Sequence, residues 1–296
     1  MEFDIISPGT TDDLLKFISE NQGSNYRFGA GYTDLIPELR KEPDSDLVVV
    51  NLATLKDDMF TSVGECDKGI RIGALVTVHE ICNNSDIEKQ YPVLHNAASS
   101  LASEQVRRTA TLGGNLCTAS PAGDISCALV ALKAECEILS ADGTIKVVPA
   151  EGFFVDVKKT YLGKDEILCS VIIPFNEEGK KIFSDFIKVG TRRSMEIAVV
   201  SLAYHIQYEG SGEISHAGIA IGSVAPVIKF THSACDYLKG KNITVVNPGE
   251  AEEFAEKVLE YASPISDIRA SAWYRKEVLF NISKDTILSS PHIQFR

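Results

Sequence analysis

Acidic and basic residues are unevenly matched in this chain of 296 residues, 41 against 29, and the net charge is −12. A surface so short of cations is not built to neutralise a phosphate backbone, and nucleic acid is not an expected partner. Long apolar runs are also missing. The first residues, Met1-Glu2-Phe3-Asp4, have no basic stretch ahead of an apolar one, and no run of about 18 apolar residues occurs, so neither export nor membrane insertion is expected. The seven cysteines include no Cys-x-x-Cys pair and are odd in number, which argues against a zinc or iron-sulfur site and against a disulfide framework. They read as reduced thiols of a cytoplasmic protein, mostly in the core. His79, His95, His205 and His216 lack metal-ligand spacing, and no Ser/His/Asp set can be assembled, so neither a metal site nor a catalytic residue is expected. Neither Gly-x-Gly-x-x-Gly nor the Walker pattern is present, so a classical dinucleotide or nucleoside triphosphate fold is not supported. Internal repeats and low-complexity tracts are absent as well.

What is present is a succession of short strands and helices. Phe3 to Ile6, Tyr26 to Phe28 and Leu47 to Val50 read as strands, with a helix opened by Thr10-Thr11-Asp12 that carries Leu14, Leu15 and Ile18 on one face: a small β-α-β unit. A second unit runs from about Ile70 to Pro174. It holds a strand at Ile70 to Gly73, helices from Thr77 and around Pro92 to Leu101, and a helix near Ser126 to Leu132. Asp142-Gly143 joins two strands as a hairpin, since both residues tolerate positive φ. Ile167 to Phe175 is its last strand. Beyond Phe183 the strands lengthen (183–189, 198–208, 214–222) and helices follow, one capped by Asn247-Pro248 and one over Arg269 to Leu288. Strands followed by helices predict an α+β C-terminal domain, with the boundary near Glu177-Glu178-Gly179.

Two glycine-containing loops stand out, Phe28 to Leu35 and Thr111 to Asn115, the latter followed by Thr118 to Asp124. Glycine lets backbone approach an anion, and neighbouring N–H groups and hydroxyls supply donors, although either loop alone reads as a tight turn. Together the motifs Ala30-Gly31, Thr33-Asp34-Leu35, Ile72-Gly73-Ala74, Gln105-Val106-Arg107, Ala110-Thr111-Leu112-Gly113-Gly114-Asn115, Ser120-Pro121-Ala122-Gly123-Asp124, Lys188 before Arg192-Arg193, and Arg269 to Arg275 resemble the FAD-binding (medium) subunit of molybdenum-containing hydroxylases of the xanthine dehydrogenase and carbon monoxide dehydrogenase type. The resemblance spans nearly the whole chain.

That resemblance implies a p-cresol methylhydroxylase-like FAD-binding fold of α+β class, with two α/β subdomains (about 1–55 and 56–176) forming a domain over 1–176, and a C-terminal domain over 177–290. The cofactor contacts it implies are Arg27, Phe28, Gly29, Ala30, Gly31, Tyr32, Thr33, Asp34 and Leu35, then Leu101, Ala110, Thr111, Gly114, Asn115, Cys117, Thr118, Gly123, Asp124, Leu168 and Lys188. The backbone of 30–34 and 111–115 would hold the pyrophosphate, and Thr118 and Asp124 would bond sugar or ribityl hydroxyls. Leu101 and Leu168 would pack on flavin or adenine, with Lys188 near the flavin or its phosphate. Each has a plainer reading: Leu101 and Leu168 as core, Lys188 as a solvated strand residue, Asp124 as a helix cap.

Two positions depart from the pattern. Tyr32 stands where a second glycine is usual, and at positive φ it would cost about 1–2 kcal/mol and remodel the loop. Its ring is expected either to stack on the cofactor or to face solvent or a partner. Arg108 replaces a frequent asparagine, near a phosphate or in solvent. By resemblance the chain is an electron-transfer subunit, passing electrons from 2Fe-2S clusters through FAD to NAD+ or another acceptor. Its partners would be an iron-sulfur subunit and a molybdopterin subunit. A charged loop over 189–197 with Arg192, Arg193 and Glu196 would lie near the flavin. The alternatives are a stand-alone FAD oxidase or reductase and a degenerate, non-catalytic interaction subunit.

Overall fold

The computed structural model describes residues 3–192 and 195–289. Arg193 and residue 290, both part of the expectations above, lie outside the described residues. Residues 3–60 contain a three-stranded parallel sheet of β1 (Asp4–Ile6), β2 (Tyr26–Gly29) and β3 (Val48–Asn51), with β3 in the middle. Alternation along β3 divides the packing. Val50 faces Leu14 and Ile18 of the helix Thr11–Glu20, whereas Val49 faces Leu35 and Leu39 of the helix Leu35–Lys41. The first helix starts where its cap is: Thr10 accepts a bond from Asp13 N.

The next sheet is antiparallel throughout. Its strands are β4 (Val63–Cys66), β5 (Gly69–Gly73), β6 (Glu135–Ser140) and β7 (Ile145–Pro149), then β10 (Glu166–Pro174), which follows a two-stranded ribbon, β8 (Phe154–Asp156) and β9 (Lys159–Thr160). Their order is β4-β5-β10-β6-β7. The β6–β7 hairpin turns at Asp142-Gly143 as predicted, with Gly143 at φ +83° and Asp142 accepting from Thr144 N. Strand β4, the ribbon and the short helix His232–Leu238 had no expectation; each is too short or too mixed in polarity to show a period.

The C-terminal part is an antiparallel sheet of β11 (Lys181–Val189), β12 (Val200–Tyr208), β13 (Ile214–Gly222) and β14 (Lys229–Phe230). All nine residues of β12 are buried, because the helix Asp124–Ala131 and the final helix Ala272–Leu288 both pack against it. Every residue of Asp124–Ala131 is buried in turn. The final helix begins at Ala272 rather than Arg269. Asp267 takes the N–H groups of Arg269 and Ala270 into a turn, and Ser271 caps the helix through Tyr274 N. Asn247 and Glu250 form a reciprocal capping box on the helix Pro248–Leu259.

Candidate functional site

A cleft of about 1130 Å³ opens between the parallel sheet and the second sheet. Its wall includes the whole stretch from Arg27 to Leu35, together with Gly113, Gly114, Cys117, Thr118 and Leu168. The loop leaves β2 and bends before the helix Leu35–Lys41. Among the described residues, the backbone N–H groups of Ala30, Gly31, Tyr32, Thr33 and Asp34 donate to no other group. Five successive free donors leave this stretch of backbone suited to an anion. Gly31 is there for space: a Cβ at that position would lie 1.9 Å from Thr109 O, so only glycine lets the two loops meet backbone to backbone.

Tyr32 itself takes φ +60°, in the left-handed region that favours glycine, at a cost of about 1–2 kcal/mol. Two contacts hold it there. The phenol donates to Asn51 Oδ1 at 2.7 Å, and the ring folds back over Gly29, where a Cβ would come within 2.4 Å of Cε1. The ring is half-buried against the cluster of Leu35, Leu39, Leu47 and Val49 and borders both clefts. Burial raises its hydroxyl above the ordinary tyrosine value.

The second motif is helical rather than a loop. Thr111 caps the helix Leu112–Cys117 by accepting from Gly114 N at 3.0 Å, Gly113 N donates to Ala74 O at 2.8 Å, and Asn115 N donates to Thr111 O. Its donors are therefore committed within the fold, unlike those of the first loop. What it offers the cleft is the side-chain-free backbone of Gly114, where a Cβ would crowd Thr111 Oγ1 at 3.0 Å. Thr118 Oγ1 donates to Gly114 O at 2.8 Å and stands beside the Asp34 carboxyl. Burial, reinforced by Glu38, raises Asp34 above the usual carboxylate range despite the lowering pull of Thr118 and Lys158. Arg27 is neutralised by Glu38 at 2.8 Å, and Lys158 reaches the same carboxylate at 3.4 Å.

Asp124, Lys188, Leu101, Asn115 and Gly123 are grouped elsewhere, where the helix Asp124–Ala131 meets the C-terminal sheet. Lys188 is not a solvated strand residue. Its Nζ lies 2.6 Å from Asp124 Oδ2 and 3.3 Å from Ser100 O, and the two side chains are 11% and 6% exposed. Asp124 opens its helix without making a cap bond. Burial pushes its carboxyl up to about 6 against the opposing pull of Lys188, and its Oδ1 has no hydrogen-bond partner among the described residues. Asn115 Oδ1 accepts from Ser126 N and Oγ, which fixes the start of the same helix. Leu101 packs on the main core and its carbonyl accepts from Arg107. Ala110 is half-buried against that core.

Thr111 lines a smaller cleft of about 520 Å³ behind the first loop, together with Ala30, Gly31 and Tyr32. Arg108 is on its rim, paired with Glu104 at 2.6 Å. Cleft residues that sequence reasoning missed include Lys158, Lys56 and Leu162. Lys158 sits in the β8–β9 turn at φ +56°, its N–H bonded to Ala119 O, and nothing local in the sequence marks a turn that folds back over a distant cleft.

Comparison with known proteins bears on this geometry. Residues 1–176 match the family described as the FAD binding domain in molybdopterin dehydrogenase, and residues 185–289 match the CO dehydrogenase flavoprotein C-terminal domain. The glyceraldehyde dehydrogenase medium chain of Sulfolobus acidocaldarius is 29% identical over 278 residues, covering 94% of each chain. The xanthine dehydrogenase FAD-binding subunit of Escherichia coli O157:H7 is 28% identical over 279 residues, covering 94% of this chain and 92% of that one. Among solved structures, a chain of quinoline 2-oxidoreductase from Pseudomonas putida 86 superposes with a TM-score of 0.86 at 25% identity, over 98% of this chain and 97% of that one. A chain of Cu,Mo-CO dehydrogenase in its cyanide-inactivated form gives 0.88 at 21% identity over 98% of both, which speaks to the fold alone. The fold implied by the resemblance is thus the one found.

Proposed function

The chain belongs to the family of FAD-binding domains of molybdopterin dehydrogenases, and from that premise we propose that it passes electrons from 2Fe-2S clusters on a separate subunit to NAD+ or another acceptor by way of bound FAD. It is an oxidoreductase FAD subunit of the molybdenum hydroxylase type. The observation that carries the site assignment is the strip of five free N–H groups over 30–34, beside the side-chain-free backbone of Gly114. The residues present fit FAD. The strip would hold the pyrophosphate, Asp34 and Thr118 would hydrogen-bond sugar hydroxyls, and Leu168 would pack on a ring. The unpartnered Asp124 Oδ1 is an acceptor waiting for a donor, and Asp124 with Lys188 and Leu101 would border the flavin end. When bound, FAD supplies a carrier that takes up electrons singly and gives them up in pairs.

The chain's own part is to hold and exclude. Backbone donors neutralise phosphate charge without a cation, and the charged groups near the cleft, Arg27, Glu38 and Lys158, are tied to one another. We assign residues 1–176 to cofactor binding and 177–290 to a C-terminal domain. The iron-sulfur and molybdopterin subunits are the proposed partners, in line with relatives named as medium chains and FAD-binding subunits. Among the described residues no helix is long and apolar enough to cross a membrane, and seven free cysteines suit the cytoplasm that we propose. A degenerate subunit would be expected to lose the loop at Tyr32, but Tyr32 holds a left-handed φ and the donors around it stay free, which favours the FAD reading. The test is to purify the chain with FAD and measure binding by calorimetry and flavin absorbance, then to co-express it with iron-sulfur and molybdopterin subunits. Reduction of the flavin by substrate is expected only in the complex. A protein that takes up no FAD, or one that oxidises substrate alone, overturns the proposal.

A further inference from the structure

Lys188, Ser201 and Gly222 are register partners across β11, β12 and β13, and this row lies under the stretch Pro121 to Asp124. Lys188 bonds Asp124 at one end. At the other end the backbone itself comes close, since a Cβ on Gly222 would lie 3.3 Å from Pro121 O. Ser223 N donates to the same carbonyl at 2.7 Å. Ser223 holds φ +64°, a conformation that is strained for a non-glycine residue and persists only where surroundings enforce it.

The enforcing group is Arg275, in the first turn of the final helix and 3% exposed. Its Nη1 donates to Ser223 O at 2.9 Å and to Val199 O at 2.5 Å, and its Nη2 donates to Asp267 Oδ1 at 2.8 Å. Val199 directly precedes β12 and Ser223 directly follows β13, so one guanidinium ties together the two strand ends at which Ser201 and Gly222 pair. Asp267 in turn is fixed by the N–H groups of Arg269 and Ala270. A planar fork that reaches two carbonyls and a carboxylate at once is a task lysine cannot repeat in full.

We propose that Arg275 is a positioning residue for the cofactor: by holding Ser223 in its left-handed turn it sets the height of Pro121, and with it the loop Thr118–Asp124 against the flavin. This rests on the reading that Thr118 and Asp124 face FAD. Arg275 is the side-chain partner of the buried Val199 carbonyl and of the half-buried Ser223 carbonyl, so shortening the fork frees the turn to relax toward an ordinary φ and lets Pro121 drift.

The experiment compares wild type, Arg275→Lys, Arg275→Lys with Ser223→Gly, and Asp267→Asn, reading FAD dissociation constant, flavin visible circular dichroism and flavin midpoint potential. Arg275→Lys should raise the dissociation constant roughly tenfold and change both the dichroism and the potential. Adding Ser223→Gly should recover most of the affinity, since glycine takes the same φ without strain and keeps the N–H that bonds Pro121. Asp267→Asn, which leaves Arg275 in place but loosens it, should move the same readings by a smaller factor and carries the test if Arg275→Lys does not fold. Failure of the wild type to bind FAD refutes the proposed function itself. With wild-type binding intact, unchanged affinity and potential in the variants, or no recovery from Ser223→Gly, refutes the positioning role even if melting temperatures fall.

Discussion

Replacing Lys188 by methionine tests the buried pair at the junction of the two halves. The ammonium and the Asp124 carboxylate are 2.6 Å apart and almost fully buried, and at an effective dielectric constant of 20 their attraction is about 6 kcal/mol. Desolvation of each ion costs several kcal/mol, so the intact pair contributes little net stability, whereas removing one partner strands a buried charge at about 3–5 kcal/mol. Lys188→Met should therefore be strongly destabilising at neutral pH, while Lys188→Met with Asp124→Leu should come within about 2 kcal/mol of wild type. The pH dependence has a definite sign. A carboxyl raised from 3.8 to about 6 contributes stability that is complete below pH 3.8 and is lost as pH rises to about 6, with no further change above. Without Lys188 the carboxyl titrates higher still, and the loss continues into the neutral range. Urea unfolding of the four proteins of this cycle, at pH 5 and pH 7.5 and without FAD, should show the Lys188→Met deficit growing with pH. A deficit under about 1 kcal/mol at pH 7.5, or a double variant as unstable as the sum of the single ones, would mean that the two groups are not a buried pair.

Gly114→Val should keep the fold at some cost, since the position is helical and the side chain it crowds, at 3.0 Å, is the capping hydroxyl of Thr111, yet it should weaken FAD binding at least tenfold by calorimetry. Gly31→Ala should instead damage the fold, because Thr109 O lies where the methyl must go; a cost at the upper end of the ~1–3 kcal/mol of overpacking should appear in the denaturation midpoint of the apo chain. Tyr32→Phe removes the bond to Asn51 and should cost about 1 kcal/mol, while Tyr32→Gly exchanges lost packing for relieved strain and should lie closer to wild type in the same assay. His205, held neutral by burial between Asn176 and Ser184, has its pKa lowered to about 4. The stability this confers is lost as pH falls from 6.5 to 4, roughly 3 kcal/mol in all, and His205→Gln should flatten that slope in unfolding curves.

Much of the first cleft was legible because its residues are neighbours in the chain. The stretch from Arg27 to Leu35 enters the wall as a unit, carried by one strand and one helix whose periods are plain in the sequence. The hairpin at Asp142-Gly143 and the caps at Thr10 and Asn247 were equally readable, each being a contact between residues two or three apart. The second glycine motif was half legible: its members were identified, but whether their N–H groups were free or already donated depends on Ala74, nearly forty positions away.

Local chemistry, then, set the elements and the membership of the first loop, because capping, turn formation and apolar alternation act over a few residues. Three features required the assembled fold. Gly31 has to be glycine only because Thr109 is pressed against it, Lys188 is buried only because Asp124 arrives from another element to meet it, and Lys158 borders the cleft only because a ribbon folds back across it. Each depends on how separate sheets stack, and stacking is decided by the whole core at once, since no pair of distant residues gains anything until the layers between them are packed.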